Sequence, residues 1–210
     1  KQNHENAIHI YLPSSQTTWI YINLDTRIFD FKFWLSHELG HMLSPTLEGK
    51  EAEDFADNFA GAFLFPEDSV RKKYYSLLKL GDDSKRIASI IKTAQDLIIS
   101  PITIKMELDK FAVNNNLEKY EFDNAFYAAT TNFNKKFVLT SENIFSTNKP
   151  TAKEYIKSSE EIFNTIFFKL LKEYNTKTDL TINYVSSLLN ISYIDSVEIF
   201  NYIVNSNGTN

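Results

Sequence analysis

Two histidines four residues apart, with a glutamate directly after the first, form the most chemically specific segment of the chain. The segment reads HELGH, and its spacing places His37 and His41 one helical turn apart, so that both imidazoles project from the same face. Zinc accepts neutral imidazole nitrogens, and such a pair can fill two of four tetrahedral positions. The spacing therefore predicts a zinc site. The alternative is an amphipathic helix that carries two buried or half-exposed histidines.

Glu38 follows His37 directly and is rotated about a quarter turn from it around the helix. It cannot join the two histidines as a third ligand from the same helix, but it can reach a water molecule on the metal. In the H-E-x-x-H pattern of metallopeptidases, the glutamate is the general base. We therefore predict that Glu38 is catalytic, taking a proton from water and delivering it to the leaving amine.

A catalytic zinc site needs a third protein ligand and an open fourth position. The chain has no cysteine, and its other histidines, His4 and His9, belong to the N-terminal strand region. Better candidates are the acids that follow the motif, which are Glu51, Glu53, Asp54 and Asp57. Glu53 and Asp57 share a face of a predicted helix, so one can bind metal while the other hydrogen-bonds a ligand imidazole. The alternative role of these acids is to stabilise a helix N-terminus.

The elements expected to position these residues are a β-hairpin and three helices. Strands are predicted at 8–13 and 19–24. Helices are predicted at 30–43, with Asp30 as the N-cap, at 50–65 and at 67–80. If the second strand borders the active-site cleft, a substrate peptide could pair with it as an additional strand.

The rest of the chain is predicted to be mainly helical. Residues 84–116 favour two helices around the segment IISPIT, close to a helix-turn-helix pattern, with an ordinary helical hairpin as the alternative. Residues 120–150 have weak periodicity and could include short strands. Helices are predicted at 151–174, at 181–190 with Thr181 as the cap, and at 192–205. We place the domain boundary after residue 118, giving a metallopeptidase domain at 1–118 and a mainly helical domain at 119–210.

Composition limits the class of protein. The chain is 43% hydrophobic and 14% aromatic, which is ample for a packed core. Its net charge of −5 argues against a large non-specific DNA-binding surface, although a local basic patch remains open. No apolar run approaches the roughly 20 residues that cross a bilayer, so no membrane association is expected. The absence of cysteine fits a cytosolic location. Because the chain begins at Lys1 rather than Met, it could be a piece of a longer protein.

The motif and the helix after it resemble the ImmA/IrrE family of cytosolic zinc metallopeptidases. That family shows a strand pair, HELGH, and a helix of the form E-x-x-A-[ND]-x-F-A-x-x-[LF]-L-x-P. The helix pattern is matched here by Glu53, Ala56, Asp57, Phe59, Ala60, Phe63, Leu64 and Pro66. The resemblance covers residues 8–66 and is weaker over 84–116. Phe55 departs from it, because the family often has Gln or Glu there.

The resemblance implies an α+β, zincin-like fold, in which a small antiparallel sheet packs on the H-E-x-x-H helix. It also implies zinc bound by His37, His41 and Glu53, with Glu38 as the general base. With Glu53 as the ligand, we predict that Asp57 accepts a hydrogen bond from the outer N–H of one ligand imidazole. The implied function is cleavage of a regulatory protein, such as a helix-turn-helix repressor, which switches on transcription.

Two other functions compete with this one. The first is a DNA-linked regulator that uses a zincin fold as a sensor with little hydrolysis. The second is a toxin or effector protease.

A further hydrogen-bond donor to the oxyanion that forms during peptide hydrolysis is expected from one of four tyrosines, which are Tyr11, Tyr21, Tyr74 and Tyr75.

Overall fold

The computed structural model describes residues 6–145, 147 and 149–205. Within these residues the chain forms two strands and eleven helices, which is an α+β fold with one small antiparallel sheet. The chain divides into two compact units, residues 1–140 and 141–210. The first unit contains all of the residues predicted to do chemistry.

The predicted hairpin is present. Strand β1 (Ala7–Leu12) pairs with strand β2 (Thr17–Ile22) in antiparallel register, with His9 opposite Ile20. Both strands contact the helix that carries the HELGH motif. In β1, Ala7 and His9 are half-buried whereas Ile8 is exposed, so the alternation of the strand turns His9 to the same side as Ala7.

The remaining elements of the first unit are helices. Their bounds are α1 Ile28–Leu43, α2 Gly49–Leu64, α3 Glu67–Leu78, α4 Asp83–Leu97, α5 Pro101–Asn114 and α6 Asn124–Asn134. The predicted N-cap of α1 is wrong, because the helix starts before Asp30 and its N-cap is Arg27, which makes no side-chain cap bond. Phe29 explains the earlier start. Its ring is buried against Phe133 and Phe137, at 5.3 Å from each, so tertiary packing extends the helix.

Helices α1 and α2 pack closely because small residues lie between them. Ala52, Ala56 and Ala60 recur at every fourth position of α2 and are all buried. Gly40 of α1 faces this row, and a Cβ added at Gly40 would lie 2.8 Å from Ala56 Cα. The short connection between the helices makes them antiparallel, so the start of α2 lies beside the end of α1.

The first unit extends past the predicted boundary at residue 118. Its core combines α3, α4 and α5 with residues that were assigned to the second domain, including Tyr120, Phe126 and Phe133. Phe126 and Phe133 belong to α6, which contacts α4. The described residues of 120–150 form α6, a short helix at Thr140–Ile144 and one isolated β-bridge between Leu139 and Arg27, rather than the short strands that were considered. Thr140 N–H donates to the Thr26 carbonyl at 2.7 Å, which ties the end of the unit to the start of α1.

Two helices, α4 and α5, occupy the segment where a helix-turn-helix-like pair was expected. Their axes are bent by 115°, within the range of that motif. However, α5 packs against α2, α3 and α4, and its exposed apolar residues include Met106 and Val113. A recognition helix instead presents polar side chains to the major groove. The packing of α5 favours the ordinary helical hairpin.

Among the described residues, no single helix has both the length and the apolar character needed to span a membrane, although α4 and α5 taken together pass by length and composition alone.

The second unit is helical. Its elements are the end of α7 (Thr140–Ile144), α8 Ala152–Phe163, α9 Phe167–Asn175, α10 Ile182–Leu189 and α11 Tyr193–Asn205. The single helix predicted at 151–174 is two helices, because Asn164 adopts a left-handed conformation with φ 50°. The predicted cap at Thr181 is confirmed by its side chain, which accepts from Tyr184 N–H. The core of this unit includes Ile156, Val185 and Ile203.

Candidate metal centre

The two histidines of α1 converge on one point. His37 Nε2 and His41 Nε2 are 3.1 Å apart, and their rings are nearly perpendicular, at 77°. Both side chains are largely buried, with 6% and 11% exposed. The central turns of α1 face α2 and β1. The residues buried there are mostly polar, namely Ser36, His37, Glu38 and Gly40.

Glu53 of α2 completes this cluster. Its Oε2 lies 3.3 Å from His37 Nε2 and its Oε1 lies 3.4 Å from His41 Nε2. The Glu53 side chain is 63% exposed, so solvent reaches the cluster from that side. Of the other candidate acids, Asp54 forms an ion pair with Lys50 on the surface of α2 instead of contacting the histidines.

The three donors fit a zinc ion by both distance and chemistry. Two ligand atoms bound to one tetrahedral zinc at about 2.0–2.1 Å lie about 3.3–3.4 Å from each other. In the cluster the two Nε2 atoms are 3.1 Å apart, and the Glu53 carboxylate lies 3.3 Å from one of them through Oε2 and 3.4 Å from the other through Oε1. Two imidazole nitrogens and one carboxylate are also the ligand type of catalytic zinc sites that keep a position open. The structure thus brings together the three residues predicted as ligands.

Asp57 lies one helical turn beyond Glu53 and contacts the far side of His37. The two atoms His37 Nδ1 and Asp57 Oδ1 are 2.9 Å apart, so a proton on Nδ1 is donated to the carboxylate. This bond leaves the Nε2 lone pair of His37 directed at the cluster. A carboxylate that orients a histidine in this way raises its strength as a ligand.

Glu38 is buried beside the cluster and is 4% exposed. Its Oε2 lies 2.8 Å from Nδ1 of His9, whose ring also stacks on His41 with centroids 4.9 Å apart. The sequence did not single out His9 from His4, and His4 lies outside the described residues. The signal that could have found His9 is strand alternation, which turns it to the same side as Ala7.

The cleft at the cluster has two parts, and His9, His41 and Glu53 line both of them. The first part is also lined by Ser44, Pro45 and Glu48, which connect α1 to α2, and the second by Asn6, Ala7 and Trp34. The strand that borders the described cleft is therefore β1, not the predicted strand at 19–24. Both strands contact α1, but only β1 contributes residues to the described lining of the cleft.

The four tyrosines considered as oxyanion donors are absent from the described lining of the cleft. Tyr74 is 2% exposed in the core, and its hydroxyl donates to the Glu118 carbonyl at 2.6 Å. Tyr75 lies next to it on α3 and contacts Phe111. These two tyrosines serve the core of the first unit rather than the cluster.

Comparison with known proteins returned no match of any kind: no family model fits the chain, and no curated protein and no solved structure is significantly similar to it. The interpretation of the site consequently depends on the residues and distances above.

Proposed function

We propose that this chain is a zinc-dependent endopeptidase with a zincin-like core. The observation that carries the proposal is the convergence of His37 Nε2, His41 Nε2 and the Glu53 carboxylate at 3.1–3.4 Å, next to the buried carboxylate of Glu38. An amphipathic helix with two unrelated histidines would not require an acid from a second helix at these distances. The H-E-x-x-H motif and its third ligand thus support one site.

Each residue has a separate task in the proposed reaction. Zinc, when bound, would polarise the scissile carbonyl and lower the pKa of a water molecule toward about 7. Glu38 accepts the proton of the attacking water and later gives it to the leaving amine. Asp57 holds His37 so that Nε2 stays directed at the metal. The burial of Glu38 and His37 keeps competing water away from both groups.

An extended peptide fits the outer edge of β1. Asn23 N–H donates to the Asn6 carbonyl at 2.9 Å, one residue before the first pair of the hairpin. Hydrogen-bonded pairs alternate along an antiparallel ladder. By this alternation, Ala7, His9 and Tyr11 direct their backbone N–H and C=O groups away from β2. A substrate strand that paired with these groups would pass directly over the cluster.

The substrate class comes from the resemblance to ImmA/IrrE proteins. We infer that the natural substrate is a regulatory protein, for example a helix-turn-helix repressor, and that cleavage takes place in the cytosol. A toxin or effector protease would use the same site, and identification of the cleaved protein separates the two. The DNA-linked sensor is the weaker alternative, because α5 is packed against three other helices.

The proposal is tested by separating metal binding from catalysis at Glu38. Zinc-loaded wild type, Glu38→Gln and the matched surface variant Glu51→Gln are incubated with a cell extract, and new protein N-termini are identified by mass spectrometry. Zinc content and Tm should be equal in all three proteins. Cleavage by Glu38→Gln should fall at least about 10²–10⁴-fold, the contribution of a positioned general base. Glu51→Gln should cleave like wild type.

Two results would overturn the proposal. If Glu38→Gln cleaves at the wild-type rate, the metal serves a sensor or a scaffold. If Glu38→Gln loses zinc as completely as His37→Ala, Glu38 belongs to the metal-binding structure and is not a base.

A further inference from the structure

A histidine from the hairpin contacts the proposed base. His9 Nδ1 and Glu38 Oε2 are 2.8 Å apart although the two residues are 29 positions apart in sequence. The Glu38 side chain is 6% exposed and that of His9 is 32% exposed, and both residues line the part of the cleft that includes Trp34. The His9 ring is stacked on His41, with 23° between the ring planes. The hairpin therefore contributes directly to the site that α1 and α2 form.

A buried carboxylate needs hydrogen-bond donors, because burial of an unpaired charge is costly. In the part of the chain that the structure describes, His9 provides the side-chain hydrogen bond to Glu38. With its proton on Nδ1, His9 donates to Oε2 of Glu38. The other carboxylate oxygen, Oε1, is then left to accept a proton from water.

We propose that His9 is a positioning residue for Glu38, an inference that rests on the proposed peptidase function. It fixes the rotation of the carboxylate, so that Oε1 is presented to the attacking water rather than turned toward β1. Stacking on His41 holds the His9 ring at the required height above α1. The His9 side chain acts through Glu38 and binds neither the metal nor the substrate, whereas only the backbone of His9 belongs to the edge that a substrate strand would pair with.

The geometry separates this role from metal binding. His9, Glu38 and His41 do form a second group whose ligand atoms lie within 4.8 Å of one another. However, two ligands of one tetrahedral zinc lie about 3.3–3.4 Å apart. The His9–Glu38 distance of 2.8 Å is that of a hydrogen bond to a charged acceptor. Metal content is the measurement that distinguishes the two roles.

The experiment compares three variants of the strand. His9→Leu removes the hydrogen-bond donor and replaces the imidazole with an apolar side chain. His9→Asn keeps a donor, because its amide nitrogen is as many bonds from Cβ as histidine Nδ1. Ile10→Ala changes the neighbouring, exposed side of the strand and is the control. Zinc per chain is measured by mass spectrometry, and kcat and KM are measured with the best-cleaved peptide of a quenched-fluorescent library.

We expect unchanged zinc content in all three variants. In His9→Leu, kcat should fall about 10- to 100-fold, as for other residues that orient a reactive group, with KM within about twofold of wild type. His9→Asn should recover most of this loss, and Ile10→Ala should match wild type. Loss of zinc in His9→Leu would overturn the inference, because His9 would then be a ligand. An unchanged kcat in His9→Leu would also overturn it.

A readout without substrate tests the hydrogen bond itself. The chain has four histidines, so the ¹⁵N-histidine NMR spectrum of the zinc-loaded protein is simple to assign with the His9→Asn variant. At pH 8, where an ordinary imidazole is neutral, His9 should carry its proton on Nδ1, and Glu38→Ala should remove this preference. A proton on Nε2 in wild type would overturn the inference. If wild type cleaves no peptide, the proposed function fails, while the spectrum still decides the His9–Glu38 bond.

Discussion

Gly40 of α1 lies directly against Ala56 of α2, with room for a hydrogen atom but not for a methyl group. A Cβ at Gly40 would be 2.8 Å from Ala56 Cα and 3.3 Å from the Ala56 carbonyl oxygen. These atoms are backbone, so they cannot move without moving α2. The contact lies beside the site, because His37 and His41 flank Gly40 in sequence, while Glu53 and Asp57, which contact these histidines, flank Ala56.

The first prediction is that Gly40→Ala weakens zinc binding more than it lowers stability. Overpacking costs about 1–3 kcal/mol, but alanine in a helix is favoured over glycine by about 1 kcal/mol. The two effects partly cancel in the free energy of unfolding. The added methyl group nevertheless pushes α1 away from α2, and this movement increases the distance from both histidines to Glu53. Competition with a fluorescent zinc chelator measures the affinity.

Gly81→Ala is the matched control for Gly40→Ala, because nothing lies within 4 Å of a Cβ at Gly81. Its zinc affinity should equal that of wild type. Wild-type affinity in Gly40→Ala would show that the α1–α2 distance does not control the site.

The second prediction is that zinc stabilises the folded chain through Glu53. A ligand that binds only the folded state adds about 2.7 kcal/mol at a concentration 100 times Kd. Zinc should therefore raise the Tm of wild type, and EDTA should reverse the increase. Glu53→Ala should remove most of this shift, whereas Asp54→Ala, which changes an acid paired with Lys50, should keep it. Equal shifts in the two variants would exclude Glu53 as the third ligand.

The third prediction concerns the carboxylate behind His37. Asp57 accepts from His37 Nδ1 at 2.9 Å, whereas His37 faces His41 and Glu53 through its other ring nitrogen, Nε2. Asp57→Ala should weaken zinc affinity by about 10- to 100-fold. Asp57→Asn keeps an oxygen acceptor and should lose less. Isothermal titration with zinc measures both, with Asn58→Ala as the neighbouring control, and an unchanged affinity in Asp57→Ala would make Asp57 an ordinary surface acid.

The local site was predictable from sequence because its residues lie on two consecutive helices. Helical periodicity places His37 and His41 on one face, and a short connection brings the next helix back beside them. The contribution of His9 was not predictable in this way. It depends on how the hairpin packs on α1, which is a contact between residues distant in sequence.

The boundary of the first unit was missed for a related reason. Residues after 118 are polar and aromatic without clear periodicity, so their side chains do not reveal where they pack. In the structure Tyr120 donates to the Tyr74 carbonyl at 2.9 Å, and Phe133 packs on Phe29 of α1. These aromatic residues join the core through contacts with residues distant in sequence, and the periodicity of a segment does not identify such partners.

The last prediction uses this same contact between Tyr120 and Tyr74. Burial, followed by the neighbouring Tyr74, raises the pKa of Tyr120 to about 12, and Arg86 over its ring opposes the shift. In the unfolded chain a tyrosine has a pKa of about 10. Because the pKa is higher in the folded state, the neutral hydroxyl contributes stability that is complete below about pH 10. That stability is lost as the pH rises through about 12.

Tyr120→Phe should therefore have two effects of different origin. At neutral pH it removes the hydrogen bond to Tyr74 and lowers the free energy of unfolding by about 0.5–1.5 kcal/mol. Between pH 10 and 12 its stability should fall less steeply with pH than that of wild type, because one titrating group is gone. Urea unfolding followed by tryptophan fluorescence measures both, since Trp19 and Trp34, the two tryptophans of the chain, belong to the first unit. Tyr127→Phe, at an exposed ring of α6, should keep the wild-type slope. Parallel curves for Tyr120→Phe and wild type above pH 10 would contradict the burial of the Tyr120 hydroxyl.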